Sequence, residues 1–114
     1  MHGSTEAFVL EAVVELGSET DPAAVGAAVT TELCGHWEHA GACRWPHNNE
    51  IVALPDGCSF RTLFVAPAAE EAEVRSRIEA ALRGAEGWEV RRVAKREVEP
   101  SEAALAARLA ASPS

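Results

Sequence analysis

The chain has 114 residues, 47% of them hydrophobic and 25% charged, and a formal charge of -8 with a pI near 4.9. That length and balance suit one globular domain with its own core, while the acidity opposes a broad nucleic-acid footprint or docking on an anionic membrane, both of which need a basic face. No run of about 18 apolar residues could span a bilayer, and the stretch from Met1 to Glu6 lacks the basic and apolar segments of a signal peptide, so a cytoplasmic location without a membrane partner is expected.

The first element runs from Ala7 to Leu16, where strict alternation puts Phe8, Leu10, Ala12, Val14 and Leu16 on one face of a strand and Val9, Glu11, Val13 and Glu15 on the other. Asp21 followed by Pro22 is an N-cap and first-turn pair. Val25, Val29 and Leu33 then recur at helical spacing up to Gly35, which predicts a helix over 22–34 with Cys34 in its last turn.

The densest chemistry of the chain follows: Cys34-x-His36-x2-His39-x3-Cys43-x3-His47, with Trp37 and Trp45 threaded between the ligands. Thiolate and imidazole are the side chains that bind zinc best, and structural sites draw four of them from short runs. Residues 34–49 form a Cys/His-rich insertion loop, longer than usual between a helix and a strand, and a tetrahedral metal held by four of the five would order it, since structural zinc binding is folding free energy. The spacing matches neither a zinc knuckle nor a C2H2 finger. In a reducing compartment three cysteines, an odd number, are thiols or metal ligands before they are a disulfide framework. The tryptophans with Arg44 offer an aromatic platform for a small-molecule ligand, but aromatics more often bury a loop against a sheet.

Asn48 and Asn49 are expected to turn the chain into a second strand over Glu50 to Leu54. Pro55-Asp56-Gly57 is a hairpin signal, with glycine supplying a positive φ, and leads into a third strand over 59–66. Val74, Ile78, Ala81 and Leu82 give a second amphipathic helix over 69–83, ended by Gly84. Residues 88–98 return to strand character, and their Arg91, Arg92, Lys95 and Arg96 suit a sheet edge blunted against aggregation. The third strand lacks the glycine and aromatic pattern of an RNA-binding sheet. Pro100-Ser101 opens an alanine-rich C-terminal helix whose Leu105 and Leu109 make a stripe too narrow for stability unless docked.

The order β-α-β-β-α-β predicts an α+β fold of one domain over 1–114: a ferredoxin-like βαββαβ sandwich, four antiparallel strands with two helices on one face, plus a short C-terminal helix. Such a scaffold hosts many functions, so the site must decide. The leading expectation is a metal-binding accessory or ligand-binding protein, with Zn2+ or another transition metal held by Cys34, His36, His39, Cys43 and His47. The alternatives are a metal-dependent enzyme on a small molecule, with an open coordination position and Glu38 or Glu50 as base, and a metal-free dimeric sensor or small-molecule enzyme using the sheet face. Chain direction sets Cys58 apart at the far end of the sheet and brings His2, Glu70 and Glu71 to the loop's end. Abundant alanine and a single lysine, Lys95, suggest a bacterial, GC-rich source; a homodimer through sheets is expected by analogy only.

Overall fold

The structure, a computed structural model, describes residues 5–34 and 45–111, and of Cys34 the backbone alone. It is an α+β fold with one four-stranded antiparallel sheet and three helices: β1 (Thr5–Leu16), α1 (Ala23–Cys34), β2 (His47–Leu54), β3 (Gly57–Pro67), α2 (Glu71–Gly84), β4 (Trp88–Arg96) and α3 (Ala103–Ala110). The strand order is β2-β3-β1-β4, which puts the two longest strands in the middle and β2 and β4 at the edges.

The expected elements are all present, with shifted bounds. The second strand begins at His47, three residues before the expected Glu50, so the helix-to-strand connection is 35–46 and not 34–49. Asn48 and Asn49 do not turn the chain; they pair with Leu63 and Thr62 in the ladder. Asp21 caps as its type predicts, its carboxylate accepting the Ala23 N–H at 2.9 Å. Gly57 is a glycine for a different reason from the one expected. Among the described residues only Gly87 has a positive φ, at 103°, whereas a Cβ on Gly57 would lie 1.9 Å from the Val14 carbonyl oxygen. The hairpin needs glycine because its first β3 residue is pressed onto the β1 backbone.

One face of the sheet carries the main core. Leu10, Ala12 and Val14 of β1 and Cys58, Phe60 and Phe64 of β3 meet Val25, Val29 and Leu33 of α1 and Val74, Ile78 and Leu82 of α2, so both long helices lie on that face. The helical and strand periodicities read from sequence thus point at one another. The other face buries a smaller apolar set, Val9, Leu63 and Val65. There α3 packs on β3 and β1, contributing the half-buried Leu105, Ala106 and Leu109, and Arg61 holds it down. The Arg61 side chain is 13% exposed and donates to both oxygens of Glu102 at 2.9 and 2.7 Å, to Glu11 and to the Glu97 carbonyl. Among the described residues no helix is long and apolar enough to cross a membrane.

Candidate functional site

Of the five predicted ligands, His36, His39 and Cys43 lie outside the described residues, as do His2, Trp37, Glu38 and Arg44. Cys34 is the last residue of α1 and His47 the first of β2. The fold brings these two ends of the connection together. Thr30, one helical turn before Cys34 and so about 6 Å from it along the helix, has its hydroxyl oxygen 3.0 Å from His47 Nε2.

His47 sits in a directed chain of hydrogen bonds. Its Nδ1 lies 3.2 Å from the Trp45 carbonyl oxygen; a carbonyl only accepts, so Nδ1 carries the proton and Nε2 the lone pair. Thr30 therefore donates its hydroxyl proton to Nε2. The Thr30 oxygen in turn accepts from Asn49 Nδ2 at 3.1 Å, and the same Asn49 amide donates to the Gly26 carbonyl at 3.1 Å. Burial lowers the His47 pKa from the ordinary imidazole value, against an opposing pull from the Trp45 carbonyl, so the neutral form dominates at pH 7. Among the described residues two buried oxygens have no hydrogen-bond partner, Asn49 Oδ1 and Thr62 Oγ1, and they belong to paired residues of β2 and β3 beneath α1.

Trp45 anchors the chain just before His47. Its ring is buried, 2% exposed; its indole N–H donates to Glu70 at 2.9 Å, and the Arg77 guanidinium lies over it, 5.2 Å from the ring centroid. Arg77 also bridges Glu32 of α1 and Glu73 of α2 at 3.1 and 3.0 Å, tying the two helices together beside the indole. Trp45 thus buries the connection against the core instead of offering an exposed platform. Comparison with family models, with curated proteins and with solved structures finds no match.

The remaining candidates separate. Glu70 belongs to a short 3-10 turn, Ala68–Glu70, at the head of α2 and is held by Trp45. Glu71 is committed to Arg75 at 2.7 Å and to Lys95 at 3.4 Å, which hold its pKa down. Cys58 is wholly buried and pairs with Ala53, six strand residues from the Phe64 that pairs with His47, or about 20 Å of strand. Burial pushes its thiol pKa up, the opposite of what a metal-ligating or nucleophilic thiolate needs. Among the described residues no group of three His, Cys, Asp or Glu side chains is arranged to hold a metal ion.

Sequence reasoning passed over Thr30 and took Asn49 for a turn former. The signal was present: the alternation that makes Ile51 face the core also turns Asn49 and His47 inward, and an inward asparagine in a strand needs a partner.

Proposed function

We propose that this chain is a ferredoxin-like metal-binding domain, an accessory or ligand-binding module whose zinc or other transition-metal centre lies between the end of α1 and the start of β2. Four of Cys34, His36, His39, Cys43 and His47 supply the ligands. The layout is supported by the element order and by the strand order, which read from the other edge is β4-β1-β3-β2.

The observation that carries the metal reading is the state of His47. Metal-ligating histidines are commonly held by a hydrogen bond from the second ring nitrogen to a backbone carbonyl or carboxylate, which fixes the tautomer and the ring direction. His47 has that arrangement: Nδ1–H on the Trp45 carbonyl and a lone pair on Nε2 toward the turn of α1 that precedes Cys34. Its imidazole is neutral at pH 7, as ligation requires. On binding, a metal would take the lone pair that Thr30 now holds. Thiolate ligands stay available in a reducing cytoplasm.

Elemental analysis of protein purified without a histidine tag tests this. Stoichiometric metal is expected, lost in Cys43→Ser, lowered by about tenfold or more in affinity in His47→Ala, and unchanged in Cys58→Ser. Absence of stoichiometric metal, or metal indifferent to both ligand substitutions, overturns the proposal.

A further inference from the structure

The two edges of the sheet are finished in opposite ways. At β4, Arg91, Arg92, Lys95 and Arg96 are all exposed, and the register with β1 breaks between Val13 and Val14, so that Arg91 is skipped and the strand bulges. Cationic side chains and a bulge are the devices that keep an edge from pairing. The opposite edge has neither. β2 runs in unbroken register with β3 from His47 to Leu54, contains no proline, lysine or arginine, and has Glu50 as its only carboxylate. Its last residues are open to solvent, with Val52 55% and Leu54 42% exposed, the large apolar side chains most out of place on this surface. Among the described residues, its backbone hydrogen bonds run only to β3.

We propose that β2 is the pairing edge for a second copy of this chain, the two β2 strands joining antiparallel about a two-fold axis at Val52 to make one eight-stranded sheet. Each copy has a formal charge of -8, so two copies approach most cheaply where charge is absent, and Ile51-Val52-Ala53-Leu54 is such a stretch. With the axis at Val52, that residue faces its own mate, Glu50 lies opposite Leu54, and the two Glu50 carboxylates are four residues apart along the strand. That spacing is about 14 Å, beyond the screening length at physiological salt. The same arrangement makes the assembly closed. It uses the one edge that lacks blocking devices on each copy and leaves the two guarded β4 edges outermost, so pairing stops at a dimer and does not run on into a fibre. The contact is one strand per copy, a small interface that suits a weak, reversible dimer.

Sedimentation velocity of the full chain over a wide concentration range, with and without chelator, is the test. A reversible dimer is expected in both conditions. Val52→Lys, at a site exposed in the monomer, is expected to weaken it by about tenfold or more through like charges at the axis, while its far-UV circular dichroism stays that of the parent. Val52→Cys is expected to give a disulfide-linked dimer on mild oxidation, because opposed residues of an antiparallel pair have Cα atoms about 4.5–5.5 Å apart; Arg92→Cys on the guarded edge and the parent chain are expected not to cross-link. A monomer at all concentrations, a dimer that chelator dissolves, or a dimer unaffected by Val52→Lys with no Val52→Cys cross-link overturns the proposal. The chelator arm separates it from the metal proposal, since either can fail while the other stands.

Discussion

The two faces of the sheet are covered by different physics. Under α1 and α2 the contact is mostly apolar, with Val25, Val29, Leu33, Val74, Ile78 and Leu82 set against Leu10, Val14, Phe60 and Phe64 and the polar Thr30, His47 and Asn49 chain confined to the β2 side. Under α3 the apolar set is small, no α3 residue is fully buried, and a guanidinium clamped by two carboxylates holds the helix in place. Burial of hydrocarbon is proportional to area and involves no charge for ionic screening or protonation to act on. A half-buried ion pair depends on both and leaves a costly unpaired charge when one partner is removed. The C-terminal segment is therefore the part of the molecule that conditions can release while the main core stays folded.

The largest effect should come from the apolar face. Phe60→Ala is expected to cost about 3–5 kcal/mol of global stability, read as a fall in the urea midpoint for the whole chain; a loss confined to the C-terminal segment would break the distinction between the faces. Arg61→Ala comes next, at roughly 2–3 kcal/mol, because Glu102 loses its cation and Glu11 keeps only Arg96. Here hydrogen exchange should quicken in residues 103–110 far more than in α1 or α2.

Acid should act in the same place. The Arg61 guanidinium beside Glu102 holds its carboxyl below the usual range, helped by the Glu99 backbone N–H. The folded pKa is thus below the unfolded one, so the stabilisation is complete above the ordinary carboxylate pKa of about 4.3 and is lost as pH falls through the folded value. The charged groups around this carboxylate are Arg61 of β3, Glu11 of β1 and Arg96, which bonds Glu11 at 3.0 Å; Glu50 of β2 lines the same groove. Protection of α3 amides, relative to their intrinsic exchange rate at each pH, should therefore fall in acid before protection of α1. The smallest effect is expected from Leu105→Ala, about 1 kcal/mol or less for a half-buried side chain, measured as a shift in α3 protection at neutral pH; a cost equal to that of Phe60→Ala would mean that both faces are held alike.

Much of the fold was legible in the residues, and the reason is local. The alternation in β1 and the three-four spacing in α1 and α2 assign each element's buried face from neighbours a few positions apart. Strand β2 was cut short because Asn48 and Asn49 are turn formers by type, and only the Asn49 bonds to Gly26 and Thr30 make an asparagine acceptable inside that strand. Of the candidate site, His47 was legible as a ligand type, but the tautomer that suits it to a metal follows from Trp45 and Thr30.

By itself the sequence determined the kinds and order of the elements, their apolar faces and the distance along the sheet between Cys58 and His47. These follow from period, residue type and chain direction. Only the tertiary structure decided which strands became edges, that Gly57 serves a close approach to Val14, and that Arg61 meets Glu102 across 41 positions of chain. Each of those depends on which strands pair and in what register, and pairing is a choice among distant segments, made by the core as a whole and written in no short stretch of residues.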